Sequence, residues 1–153
     1  MILFRLSNCS YISDLSGAGT KLFGSRWSGR GLPGVYLASS RALAILEVLV
    51  RLQPLMVPTE FCMAEMEVPD ISIEHANADV LPANWNDINP PAELRKIGDD
   101  FLKAGKHLML KLPSSIVPAE SNFLLNPLHP NMAKVKMIKR EPFSFDERLL
   151  HRL

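Results

Sequence analysis

Apolar positions along this chain fall into short runs whose spacing changes from place to place. Residues 2–6, "ILFRL", and 35–39, "VYLAS", have the length and residue types of strands. Residues 41–52, "RALAILEVLVRL", are apolar except for Arg41, Glu47 and Arg51 and read as a helix. Ser39 or Ser40 can cap it, and Pro54 stops it near Gln53. In "FCMAEMEV", 61–68, Cys62, Ala64, Met66 and Val68 share one face while Glu65 and Glu67 take the other, as in a half-buried strand. Residues 76–92 are rich in Asn, Asp and Pro and read as loop. "PAELRKIGDDFLKAG", 91–105, predicts an amphipathic helix with Leu94, Ile97, Phe101 and Leu102 inward and proline at its start. "HLMLKLP", "NFLLNP" and "KVKMIKRE" predict three further strands, at 107–113, 122–127 and 134–141. Strands and helices do not alternate regularly, which points to α+β rather than a parallel α/β sheet.

At 153 residues with 47% apolar and 22% charged residues, the chain reads as one domain, 1–153, with a real hydrophobic core. A net charge of +1 gives no reason to expect nucleic acid or an anionic membrane as partner. No apolar stretch reaches the roughly 20 residues of a membrane helix. The N-terminal "MILFRLSNCS" lacks the basic and long apolar regions of a secretory signal, so a cytoplasmic protein is expected. There, Cys9 and Cys62 are expected as two reduced thiols. His75, His107, His129 and His151 lack ligand spacing, and no metal is expected.

Three stretches carry candidate chemistry. Glu47 interrupts an apolar helix, and at 100° per residue it aligns with Ser40, Ala44 and Arg51 as a narrow polar or small stripe. That stripe is either a solvent seam with a Glu47–Arg51 ion pair at i,i+4, or the wall of a cleft in which Glu47 is used. Residues 16–34 hold six of the eight glycines together with Lys21, Arg26 and Arg30. Backbone N–H groups and guanidinium groups suit a phosphate, although neither common nucleotide-binding glycine motif is present. The other reading is a solvated surface loop. "LPSSIVPAESNFLLNPLHP", 112–130, offers Ser114, Ser115, Asn122, Asn126 and His129, residues that also simply form turns. No Gly-x-Ser-x-Gly elbow supports a Ser-His-Asp triad there.

Taken in order, "FRL", "SRWSGRG", "GVYLASSRALAILEVLV" and "LPSSIVPAESNFLLNPLHP" resemble the RES domain family over roughly residues 3–140. That family is named for an arginine, a glutamate and a serine, which correspond here to Arg26, Glu47 and Ser114, with Ser115 the other position for the serine. Tyr36 matches a characteristic tyrosine. Ser28 stands where the family often has asparagine.

The resemblance implies a split mixed or antiparallel sheet with flanking helices, similar to the ADP-ribosyltransferase core of diphtheria toxin. It implies a bacterial growth-arresting toxin that cleaves NAD⁺, paired with an Xre-type helix-turn-helix antitoxin. NAD⁺ would be substrate rather than resident cofactor, with inorganic phosphate a candidate co-substrate. By the same resemblance Glu47 stabilises the developing ribosyl cation and Arg26 clamps the diphosphate. Tyr36 offers a ring to nicotinamide, and Ser114 gives a hydroxyl to ribose or phosphate. Hydrolysis, phosphorolysis and ADP-ribosylation of a protein share one transition state, so the same residues fit all three. A non-catalytic module that holds a nucleotide or a protein is the reading from another class.

Overall fold

The computed structural model describes residues 1–52 and 59–150. In chain order the elements are β1 (Ile2–Asn8), α1 (Ala18–Phe23), β2 (Val35–Ala38), α2 (Arg41–Leu49), β3 (Phe61–Glu67), β4 (Ile73–His75), α3 (Glu93–Ala104), β5 (Met109–Pro113), β6 (Ser121–Leu125), β7 (Lys136–Phe143) and α4 (Glu147–Leu150). The strands make one sheet of order β4-β5-β6-β2-β1-β3-β7. Among the described residues only β4 and β5 run parallel, and every other pairing is antiparallel. This is the expected α+β class with a mixed sheet.

Strand alternation sorts the side chains into layers. Leu3, Leu37, Cys62, Ala64, Met66, Met109, Phe123 and Leu125 point to one face, where Ile12 and Leu108 cover them. The opposite face carries two further clusters. Leu6, Ala38, Phe61 and Met63 lie under Leu43, Ala44 and Leu49 of α2. Leu110, Leu112 and Leu124 lie under Leu94, Phe101 and Leu102 of α3. Two helices therefore share one face of the sheet. Tyr36, packed against the second of these clusters, and Asn122, two residues before Leu124 in β6, lie on the same face.

Several local expectations change. The glycine-rich stretch contains the helix α1, because "AGTKLF" is free of glycine beyond Gly19. The flanking Gly17 and Gly24 take φ of 74° and 72°, which ends the helix at both sides. At Gly17 a side chain is also excluded: a Cβ would lie 2.4 Å from Gly34 N. β3 is buried on both faces, with Phe61 and Met63 as enclosed as Cys62 and Ala64. β4, three residues at the sheet edge, gives too short a pattern to see in the sequence. α2 stops at Leu49, short of Gln53; Gln53, the expected stop Pro54, and His151 lie outside the described residues.

The expectation of two free thiols is also corrected: Cys9 and Cys62 form a disulfide. The cause is non-local. β1 and β3 pair with Ser7 opposite Cys62, and Cys9 N–H donates to Glu60 O, so the two side chains meet. The bond closes a loop across a sequence separation of 53 residues, for which the chain-entropy estimate is about 4 kcal/mol of stabilisation. A reductant should lower the thermal midpoint of the wild-type chain and leave that of Cys62→Ala unmoved. Equal responses would show that the thiols are not joined in solution.

Candidate active site

α2 starts at a firm cap. Ser40 Oγ accepts from Leu43 N–H at 3.1 Å and donates to Glu120 Oε2 at 2.8 Å, tying the helix to the segment before β6. Two turns on, Glu47 Oε1 accepts from Ser114 Oγ at 2.9 Å and from Asn122 Nδ2 at 2.5 Å. Glu47 Oε2 lies 3.6 Å from Arg51 Nη2, so the i,i+4 contact forms as well. Its partners are unequal: the Arg51 side chain is 73% exposed and that of Glu47 only 17%. The contact with water-facing Arg51 contributes a few tenths of a kcal/mol. The two hydrogen bonds inside are what hold the carboxylate.

Glu47 stands on the wall of a cleft of about 390 Å³, within the size range of ligand pockets. The cleft lies where β1 and β2, which share one residue pair, Phe4 with Ala38 at the end of β2, run on without further pairing. Phe4–Ser7 and Val35–Ala38 therefore line it, closed off by α1 and by the Ala44, Glu47, Val48, Arg51 side of α2. The stripe read from the sequence thus faces a cleft, and its ion pair exists at the same time. Asn122 and Ser25 reach the wall too.

The arginine-bearing loop is folded tightly on itself. Ser25 Oγ accepts from Trp27 N–H and Ser28 N–H, and meets Tyr36 Oη at 2.6 Å and Ser28 Oγ at 2.9 Å. Ser28 has no exposed surface, so a small hydroxyl suits its site. Burial pushes the Tyr36 phenol above its ordinary pKa, opposed by the hydrogen bonds to Ser25 and Ser28, so it stays protonated at neutral pH. The loop also leans on α3. Gly98 N–H donates to Trp27 O at 2.9 Å, and Asp99 Oδ1 accepts from Gly29 N–H at 2.8 Å. Only glycine allows that approach: a Cβ at position 98 would sit 2.1 Å from Trp27 O.

Among the described residues Arg26 makes no hydrogen bond to the other three expected residues. Its Nη1 donates to Trp85 O at 2.9 Å and Asp87 O at 2.8 Å. Trp85 in turn packs on Trp27 with ring centroids 5.9 Å apart. Partial burial lowers the pKa of Arg26, helped by nearby Arg51 and opposed by Glu47 and Asp87. It therefore shares an electrostatic neighbourhood with Glu47, but it is not part of the cleft wall. Among the described residues Nε and Nη2 carry no hydrogen bond.

Of the residues expected from the sequence, Glu47 and Tyr36 line the cleft and Ser114 touches Glu47 from behind. Ser114 has no exposed surface, and besides donating to Glu47 its Oγ accepts from Ile116 N–H and Val117 N–H. Its hydroxyl is committed to Glu47 rather than open to ribose or phosphate. Ser114, not Ser115, makes this contact. Ser25 is the cleft residue that sequence reading did not name; Asn122 and Arg51 were named, as a turn former and as the i,i+4 partner of Glu47. Asn122 reads as a turn former, although its place in "NFLL" one step from the buried run was a usable signal. Among the described residues no group of three His, Cys, Asp or Glu side chains could hold a metal, and no helix is long and apolar enough to cross a membrane.

The RES domain model matches residues 2–146. The chain is 38% identical over 152 residues to Toxin Res of Photorhabdus laumondii subsp. laumondii, covering 98% of this chain and 97% of that protein. It is 39% identical over 143 residues to the Prs ADP-ribosylating toxin of a Sphingobium species, covering 91% and 88%. The fold matches a chain in the crystal structure of the M. tuberculosis MbcT–MbcA toxin–antitoxin complex. There the TM-score is 0.78 at 16% identity, over 99% of this chain and 87% of that one.

Proposed function

The chain belongs to the RES domain family, and from that premise we propose that it is a toxin that cleaves the nicotinamide–ribose bond of NAD⁺ in the cytoplasm and so arrests growth. The observation that carries the reading is Glu47: a carboxylate fixed by two donors on the wall of a ligand-sized cleft. Nicotinamide already leaves as a neutral molecule from a cationic ring, and the transition state resembles an oxocarbenium ion. The protein's task is then to stabilise positive charge on the ribose and hold the dinucleotide still. A carboxylate on a rigid helix suits the first task. Tyr36 gives an aromatic surface for nicotinamide.

Arg26 suits the diphosphate through the N–H groups that its carbonyl contacts leave over. Lysine offers one point charge in place of a fork. Arg26→Lys should therefore raise KM for NAD⁺ about tenfold while altering turnover of nicotinamide riboside, which lacks the diphosphate, far less. Equal losses on both substrates would remove Arg26 from the phosphate subsite.

The name of the Sphingobium relative favours a second acceptor, a protein side chain in place of water or phosphate. Incubation with NAD⁺, with and without phosphate and with cell extract, separates them. Free ADP-ribose indicates hydrolysis, a phosphorylated ADP-ribose phosphorolysis, and labelled protein transfer; unchanged NAD⁺ would favour a binding module.

The likeness to a chain of a toxin–antitoxin complex supports a protein antitoxin as partner, and an Xre-type helix-turn-helix protein is the proposed one. An acidic or C-terminal carboxylate group from it could imitate phosphate at Arg26 and block the cleft. Wild-type chain should then be recovered in quantity only when co-expressed with its antitoxin, whereas Glu47→Gln accumulates alone. NAD⁺ binding to that variant should fall as antitoxin is added; binding that persists in the saturated complex would rule out a steric block.

A further inference from the structure

We infer that Asn122 is a positioning residue for Glu47, which together with Ser114 occupies one carboxylate oxygen and leaves the other to face the ribose. The inference rests on the cleft being the NAD⁺-cleaving site and adds to it which residue orients the charge.

Both donors meet the same atom. Ser114 Oγ at 2.9 Å and Asn122 Nδ2 at 2.5 Å converge on Oε1. A carboxylate oxygen has two lone-pair positions, so Oε1 is filled. Oε2 has only Arg51 near it among the described residues, at 3.6 Å, longer than a hydrogen bond. Two donors on one oxygen also fix the plane of the carboxylate, whereas a single donor would let it turn about the last side-chain bond.

Each donor is itself held. Asn122 lies in β6, opposite Ala38 of β2 on one side and Leu112 of β5 on the other, in the interior of the sheet. Ser114 Oγ accepts from Ile116 N–H and Val117 N–H, which fills its lone pairs and directs its one hydrogen at Glu47. The contacts join helix α2 to strand β6 across 75 positions of sequence. Of the two donors, Asn122 alone is part of the cleft wall. Preorganisation of this kind matters because misplacement by about 1 Å can cost about 100-fold in rate.

The test uses Asn122→Leu, of similar volume without a donor, and Asn122→Ala, which removes the donor without adding a charge beside Glu47. Each should lower kcat for nicotinamide release about 100-fold, with KM within about threefold and the thermal midpoint nearly unchanged. Unchanged kcat in both variants would overturn the inference. So would kcat, KM and midpoint all worsening together, the mark of a merely structural role. A second readout needs no turnover: the side-chain amide proton signals of Asn122 should move in Glu47→Ala. If wild-type protein releases no nicotinamide, the proposed reaction fails. This signal then decides the positioning claim by itself, and amide protons indifferent to Glu47 would sink it.

Discussion

Glu47→Gln is expected to abolish NAD⁺ loss, by about 1,000-fold or more, without disturbing the fold. The amide keeps the volume of the carboxyl group, and its carbonyl oxygen can still accept from Ser114 and Asn122. What disappears is the charge, and only the charge is stronger in the transition state than in the ground state. The i,i+4 contact with Arg51 makes a very different forecast. It is water-facing on the arginine side, and losing it should alter stability by well under about 1 kcal/mol and leave turnover intact. Both interactions are present, so turnover measured beside thermal midpoint tells which one the residue is kept for. Retained toxicity in this variant would end the catalytic assignment.

The second large effect is expected far from any ligand. Gly98→Ala adds a methyl group where Trp27 O would lie 2.1 Å away. Alanine gains about 1 kcal/mol of helix propensity over glycine. That cannot offset a clash with backbone plus a lost Gly98 N–H to Trp27 O hydrogen bond, for which about 3 kcal/mol is a fair figure. The net loss should be about 2 kcal/mol, seen as a lower denaturation midpoint in urea. Activity should fall by more than stability accounts for. The displaced backbone carries Arg26 on one side and the Ser25–Ser28–Tyr36 cluster on the other. An unchanged midpoint would mean that the helix and the loop are not in the contact described.

How far the sequence revealed this site depended on distance along the chain. Strands such as β1, β2 and β6 declared themselves as short apolar runs of strand length, and α2 through a serine cap and a continuous apolar run. The stripe of Ala44, Glu47 and Arg51 was visible for the same reason, but whether it met water or a cleft was not. That depends on β1 and β2 running on without pairing beyond one residue pair, which no local pattern records. The disulfide and the donors on Glu47 likewise link residues brought together only by sheet order. Ser114 was preferred to Ser115 in the sequence for directly following the proline, and it is Ser114 that donates to Glu47. Arg26 was legible as an arginine in a glycine-rich loop, while its hold on the carbonyls of Trp85 and Asp87 was hidden in a segment that read as featureless loop.

The most direct measurement follows wild-type protein, purified free of its antitoxin, with NAD⁺ by proton NMR, reading the nicotinamide ring signals over time. Free nicotinamide should appear mole for mole with the NAD⁺ consumed, whether the ribosyl carbon passes to water, phosphate or protein. NAD⁺ that stays intact beside folded protein would contradict the account.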